Sequence, residues 1–378
     1  MTIGGLNMVS NEIGLVLEGG GGKGAFQIGT WKALEKLNVL NKITAISGTS
    51  VGALNGVLYA LNDFEIAKKI WLLIDQQTLL SPDFESNGLF SREGLTCFIE
   101  SLPLDRLYDS RIKVYANVFN KDVQKVDTFL LNDLPLSDIK KLLLASSAIP
   151  VLYDEVVYNG IHYEDGGVTQ FGNAYIKPLY ENGYRNMVLV SLRNDFNLYK
   201  VNKNKDFQNK NYINLQNYYP DMEIEIIKPL EDIGGHIKGT LDFKHSSTIK
   251  KMIDGYMATR YVYEGEIITM KNKNSKINMK IAKKMKDLFQ NAEELEEFIK
   301  VTNFGNPNMK MVTMGGTIWY ENIVELFGWK VQQHKLGGLK QHYRILDQNG
   351  VRKAWILNPE DLLNALIEYE AAKDMDLV

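Results

Sequence analysis

The sequence predicts an α/β fold: a parallel-rich sheet covered by helices, followed by a small α+β module. Three observations carry this. Short apolar strands alternate with helical patterns through the first 75 residues. Residues 187–192 form a nearly unbroken apolar run, interrupted only by Ser191, as expected of a strand buried on both faces. The composition then changes after Met270, where seven lysines and no acidic residue fall between Lys271 and Lys286.

Residues 13–17 are a short apolar strand that runs into a glycine run. A helix is expected over 25–37, with Ile28, Trp31, Leu34 and Leu37 on one face. Residues 43–46 read as a second strand, 48–52 as a turn, and 53–61 and 64–74 as helices. This alternation implies a parallel sheet covered by helices. Further strands are expected at 111–117, 158–163, 187–192 and 223–227, with a helix at 136–147 that stops before Pro150. Residues 201–212 are polar and rich in Asn and Lys, and read as an exposed loop. Beyond Met270 the pattern predicts helices at about 285–300 and 319–326. A hairpin of 343–346 against 351–355 follows, with Asn349-Gly350 as its tight primed turn, and then a last helix from Pro359 to about Ala372. Residues 1–270 are therefore expected to form one domain, and 271–378 a basic linker with a small α+β module.

The 378 residues suit two domains at roughly 150 residues each. Hydrophobic residues at 45% and charged residues at 24% are usual for a globular chain and exclude wholesale disorder. A formal net charge of -3 gives no case for nucleic-acid binding. The single cysteine, Cys97, excludes an internal disulfide and any zinc site built on several thiolates. No basic segment precedes an apolar run at the N-terminus, so no signal peptide is read. Residues 43–62 carry no charge over a membrane-spanning length, but Ser47, Thr49, Ser50, Asn55 and Asn62 mark them as a buried strand and helix. The expected location is the cytoplasm.

Gly48-Thr49-Ser50-Val51-Gly52 matches G-x-S-x-G between an expected strand and an expected helix. That context suits a nucleophile elbow, in which glycines on both sides admit close backbone and the serine hydroxyl is lifted out. The following helix directs its amides toward developing negative charge. The rival reading is a plain turn with Ser50 as helix N-cap.

The run Gly19-Gly20-Gly21-Gly22-Lys23-Gly24 can aim several backbone amides at one point, as an oxyanion requires. Gly19, Gly21 and Gly24 also satisfy G-x-G-x-x-G. A dinucleotide site, however, wants an acidic residue near the end of the second strand, and none stands between Ile43 and Asn62. A phosphate-binding P-loop fails as well, because Ala25-Phe26 follows Gly24. A tight loop without a ligand remains the other alternative.

A serine nucleophile needs a base. None of His162, His236, His245, His334 and His342 stands in a triad motif. His162 is near Asp165, but strand alternation puts it on the other face. Asp165-Gly166-Gly167 reads as a turn at a strand end.

A glycine loop, a G-x-S-x-G elbow and a distant Asp-Gly-Gly, in that order, resemble the patatin-like phospholipase family. Phe90-Ser91-Arg92-Glu93-Gly94-Leu95, Ala145-Ser146-Ser147-Ala148-Ile149-Pro150, Leu241-Asp242-Phe243 and Ile253-Asp254-Gly255-Tyr256 agree. The resemblance covers about residues 12–265. It implies a three-layer α/β/α hydrolase with Ser50 as nucleophile and Asp165 as the residue that activates it. Gly20, Gly21 and Gly22 would supply the oxyanion hole, supported by Gly19, Lys23, Gly24, Gly48, Gly52, Gly166 and Gly167. The segment after Gly167 departs from the family, looking about two residues longer and lacking a following Asp and Pro.

The expectation is thus a lipid acyl hydrolase of phospholipase A type, acting through an acyl-enzyme with no metal or organic cofactor. A phospholipid or another acyl-lipid is the expected substrate. Peripheral contact with the inner membrane surface is anticipated, and nucleic acid is not. An acyltransferase on the same site, or a non-catalytic lipid-binding protein, are the alternatives.

Overall fold

The computed structural model describes residues 12–74, 76–83, 88–168, 174–195, 219, 221–235, 238–264, 274–302, 304, 320–335 and 342–377. The chain divides into two compact units, Met1–Tyr263 and Glu264–Val378.

The strands of the first unit are β1 (Ile13–Leu17), β2 (Ile43–Thr49), β3 (Lys113–Asn120), β4 (Lys125–Leu130), β5 (Val156–Tyr158), β6 (Ile161–Asp165), β7 (Asn186–Val190) and β8 (Glu223–Ile227). They form one sheet in the order β5-β6-β3-β2-β1-β7-β8, with β4 also paired to β3. The stretch β3-β2-β1-β7-β8 is wholly parallel, whereas β4, β5 and β6 join antiparallel. Helices follow as α1 (Ala25–Lys36), α2 (Val51–Leu61), α3 (Phe64–Leu73), α4 (Gln76–Leu79), α5 (Glu93–Glu100), α6 (Leu136–Ser146), α7 (Lys177–Glu181) and α8 (His245–Glu264).

Successive strand residues point to opposite faces, and helices cover both. On one face Val16, Ala45, Tyr115 and Met187 form a core with Leu179 of α7. On the other, α2 approaches so closely that a Cβ at Gly56 would touch Ile46 and Val114. The result is the expected three-layer architecture. Outside α2, α1 crosses α8 almost backbone to backbone: a Cβ at Gly29 would fall 1.7 Å from the Met252 carbonyl oxygen, and one at Gly255 1.9 Å from that of Phe26. The uncharged stretch at 43–62 is β2, the elbow and α2. Among the described residues no helix is long and apolar enough to cross a membrane.

Helices α4, α5, α7 and α8 have no counterpart in the sequence reading, and two strand features also differ from it. The single strand expected at 158–163 is a hairpin, β5 and β6, folded on Asn159 and Gly160 at φ of 50° and 80°. Positive φ at both central positions matches the twist of the flanking strands. The second is β4, which was not anticipated; among the described residues its sheet neighbour is β3 alone, and no apolar alternation marks it.

The second unit holds α9 (Asn274–Leu288), α10 (Ala292–Val301), a four-stranded antiparallel sheet and α11 (Pro359–Asp374). The sheet order is β12-β11-β10-β9, from β9 (Tyr320–Leu326), β10 (Trp329–His334), β11 (Tyr343–Leu346) and β12 (Arg352–Ile356). Ile277, Ile281, Met285, Phe289, Phe298 and Leu366 are buried in its core. Four corrections apply here. The lysine-rich tract is helix α9 from Asn274 onward, amphipathic rather than a linker. The one helix expected at 285–300 is two, because the Asn291 side chain accepts from the Glu294 amide and caps a new start. The helix expected at 319–326 is strand β9, whose pairing to β10 overrides local propensity. The β11–β12 turn is also wider than a two-residue primed turn: Asp347 Oδ1 accepts from the amides of Asn349 and Val351, and only Gly350 has positive φ.

Candidate active site

Ser50 follows β2 directly and sits at the N-cap of α2 with φ 56° and ψ -129°. A non-glycine residue in that region is strained and is held by its surroundings. The holding contacts are specific. A Cβ at Gly48 would lie 2.3 Å from the Gly52 carbonyl oxygen, and one at Gly52 2.1 Å from that of Leu17. Both glycines of the motif are therefore required by close backbone. The Ser50 amide donates to Ser146 Oγ at 2.9 Å, and that hydroxyl donates to the Asn117 carbonyl at 2.8 Å. The Asn117 side chain donates back to Ser47 Oγ and the Gly48 carbonyl. The Ser50 hydroxyl makes no capping bond to α2; it faces the Asp165 carboxylate closely enough to lower that group's pKa, and both residues line one cavity.

Sheet register explains how residues so far apart in sequence meet. Thr49 lies opposite Asn117 in the parallel β2–β3 pair, and Asp165 lies opposite Val118 in the antiparallel β3–β6 pair. Strand β6 pairs only with the last three residues of β3, so its own carboxyl end comes back level with the end of β2. The Asp165 amide donates to the Ala148 carbonyl at 2.9 Å, and its Oδ1 accepts from the Gly167 amide at 2.8 Å. Gly166 passes close to Asn117, where a Cβ would stand 2.8 Å from the carbonyl oxygen.

Asp165 is buried, and burial pushes its pKa from 3.8 up to about 6. The bonds from Ser50 and Gly167 oppose that rise without cancelling it. Among the described residues a hydroxyl, not a histidine, stands beside it. His162 lies at the surface on the far side of β6, with Nδ1 3.3 Å from Asp122 Oδ1. The His245 ring bonds the Leu72 carbonyl, and His334 and His342 belong to the second unit. His236 lies outside the described residues, as do 169–173, where the departure after Gly167 falls, and the polar stretch at 201–212.

The glycine run forms a tight 3-10 turn, Gly21–Gly24, leading into α1. Gly21 has φ 53° and lies against Thr240, whose carbonyl oxygen would be 2.3 Å from an added Cβ. The Gly22 amide donates to that same carbonyl at 2.8 Å, so of the three glycines read as oxyanion donors Gly22 is already committed. Gly24 packs beneath Val51 and Trp71, with no room for a side chain. Lys23 is buried, and desolvation lowers its pKa against the opposing charge of Glu18.

Several supporting residues were not anticipated. Glu18, fully buried, accepts from Ser191 Oγ and the Leu192 amide at 2.6 Å and pairs with Arg193 at 2.8 Å, tying the end of β1 to the end of β7. Lys251 of α8 donates to the Asp242 carbonyl at 2.7 Å and pairs with its carboxylate at 3.2 Å, holding the segment that crosses the glycine turn. Asn117 and Ser146 brace the elbow. An acid closing an apolar strand was a usable signal for Glu18. Ser146 lies in the family-like stretch 145–150, whereas Asn117 and Lys251 carry no local signal, since their partners are distant in sequence.

Two cavities meet at Ser50. One, of about 60 Å³, is narrow and apolar, lined by residues that include Leu54, Trp71, Leu79, Leu95 and Phe98. The other, of about 380 Å³, is lined by Gly20, Asp165, Gly167, Val168, Thr240 and Leu241 among others. Ile74, Leu79 and Phe98 are shared between the narrow cavity and an open groove of about 360 Å³. Among the described residues, no group of His, Cys, Asp or Glu could hold a metal ion.

Residues 15–176 match the family model described as Patatin-like phospholipase. Lysophospholipase NTE1 of Cryptococcus neoformans is 27% identical over 197 residues, covering 49% of this chain and 11% of that protein. The chain thus spans only about a tenth of that relative's length. The probable lipid hydrolase 463L of Invertebrate iridescent virus 6 is 27% identical over 263 residues, 63% of this chain and 88% of that one. Among solved structures, VipD from Legionella pneumophila aligns at TM-score 0.44 and 14% identity, over 80% of this chain and 81% of that chain.

Proposed function

We propose that this chain, a member of the patatin-like phospholipase family by its residues 15–176, is a lipid acyl hydrolase working through a Ser50–Asp165 dyad and an acyl-enzyme. The observation that carries the proposal is the Ser50 hydroxyl facing a buried carboxylate at the junction of two cavities, one of them narrow and apolar.

In this reading an ester carbonyl enters beside Ser50 with its acyl chain in the apolar cavity and its leaving group in the wider one. Ser50 Oγ attacks as Asp165 takes the hydroxyl proton. A carboxylate is a weaker base than imidazole, and the raised pKa of Asp165 narrows that gap. The developing oxyanion is met by the backbone amides of Gly20 and Gly21, aided by the N-terminus of α2. Collapse of the tetrahedral intermediate expels the alcohol, which receives the proton from Asp165. Water, deprotonated by Asp165, then attacks the acyl-enzyme carbonyl, and collapse breaks the bond to Ser50 Oγ, which takes the proton back from Asp165 as the fatty acid leaves.

The test is mass-spectrometric analysis of lipid products with the wild-type chain and Ser50→Ala, alongside fluorophosphonate labelling. Wild-type protein should release fatty acid and label, and the variant should do neither while keeping its circular dichroism spectrum. Labelling that persists in Ser50→Ala would place the nucleophile elsewhere. Acyl transfer to an added alcohol in place of water would make the chain an acyltransferase.

A further inference from the structure

Around the mouth of the wider cavity, apolar side chains stand in water. Val168, which lines that cavity, is 45% exposed. Val151, between the lining residues Pro150 and Leu152, is 71% exposed, and Leu89 is 54% exposed. Leu89 and Val151 are neighbours, because the Leu89 amide donates to the Val151 carbonyl at 3.0 Å, and the Phe90 amide likewise to that of Leu152 at 2.9 Å. Single exposed apolar residues are ordinary, but a group of them beside a ligand cavity marks an interaction surface.

Val151 sharpens the point. Its φ is 72°, a left-handed conformation that a β-branched residue rarely adopts. The turn that imposes it is closed by the Leu152 and Tyr153 amides on the Ile149 carbonyl, at 3.1 and 2.9 Å. Ile149 and Leu152 are thereby turned into the cavities, while Val151 is pinned outward at the apex. Asparagine or glycine would occupy this backbone with less strain. A strained position that holds a valine out in solvent gains nothing within the unit itself.

We propose that Leu89, Val151 and Val168 form a rim that inserts into the apolar surface of a lipid assembly and sets the wider cavity directly over it. The choice of lipid as partner rests on the hydrolase reading above and on the continuity of this rim with the cavity that opens at Ser50. Because the three side chains are uncharged, docking depends on exposed hydrocarbon rather than on anionic head groups.

The experiment is co-flotation of the full chain with phosphatidylcholine vesicles, comparing wild type with Leu89→Asn/Val151→Asn. Neither substituted residue belongs to the catalytic machinery or lines either cavity at Ser50. Wild-type partition should be the same at low and high salt, and the double variant should lose roughly tenfold or more, from the buried area forfeited. Fluorophosphonate labelling of Ser50 and hydrolysis of a soluble short-chain ester should be retained. The single Val151→Asn variant should melt no lower than wild type. Equal partition of the double variant, absence of wild-type binding, or binding confined to anionic vesicles and abolished by salt would each overturn the rim. Rim-dependent binding without any hydrolysis would retain the rim and remove the hydrolase reading; hydrolysis with rim-independent binding would do the reverse.

Discussion

The Gly22 amide donates to the Thr240 carbonyl at 2.8 Å, binding the glycine turn to a segment 218 residues further along the chain. Thr240 and Leu241 also line both cavities at Ser50. Two residues on, Asp242 is held by Lys251 and by the Ser247 hydroxyl. The glycine turn is therefore a braced element, and its shape depends on α8 as much as on its own sequence.

Gly21→Ala follows from that bracing. The added methyl would meet the Thr240 carbonyl oxygen at 2.3 Å, at a φ of 53° that alanine resists. Both effects displace the turn. Loss of one oxyanion donor typically costs roughly 10²–10³ in rate. The expected result is a fall in kcat of that order, a smaller change in KM and a lower melting temperature. Steady-state kinetics and thermal denaturation together check it.

Asp165→Asn should abolish turnover while raising stability near neutral pH. The carboxyl has a folded pKa of about 6 against 3.8 when exposed. Ionising it in the folded state is therefore unfavourable: the penalty is absent below 3.8, grows as pH rises and is complete above about 6, where it reaches roughly 3 kcal/mol. Asparagine removes the penalty and can still accept from Gly167. The variant should melt higher than wild type at pH 7.5 and no higher at pH 4. Wild-type kcat/KM should rise through pH 6 to a plateau, and His162→Ala should leave that profile in place.

Leu95→Trp should shorten the preferred acyl chain. Leu95 is buried in the wall of the narrow cavity, and added bulk in a packed site costs about 1–3 kcal/mol. Long-chain p-nitrophenyl esters should lose roughly tenfold or more in kcat/KM, with acetate and butyrate esters little affected. A uniform loss across chain lengths would show that acyl chains lie elsewhere.

The lysines of α9 are not equivalent. Lys284 pairs with Glu370 at 2.6 Å, both side chains largely buried, whereas Lys283 and Lys286 are exposed. Lys284→Gln should destabilise the second unit by about 1–3 kcal/mol, since it removes the largely buried Lys284–Glu370 ion pair. Lys283→Gln/Lys286→Gln should leave the melting temperature unchanged. That double variant, rather than one including Lys284, tests whether this helix assists binding to anionic vesicles.

The sequence by itself determined the elements whose partners are near in the chain. Strand β1, the glycine turn, β2, the elbow at Ser50 and α2 follow one another within 50 residues, and their periodicity and glycine spacing reflect local backbone demands. Asp165 was legible only as a turn and, by resemblance, as a companion to Ser50. Tertiary structure decided the rest. The stagger of β6 on β3 brings the Asp165 carboxylate to the Ser50 hydroxyl, and burial there shifts its pKa, a property of surroundings that no short motif encodes. Likewise Thr240 takes the Gly22 amide, and β10 turns 320–326 into a strand. For Asp165 and Thr240 the deciding partner is distant in the chain and absent from any local window; β9 and β10 are instead a hairpin on Phe327 and Gly328, at φ of 53° and 82°, where cross-strand pairing outweighs the local preference.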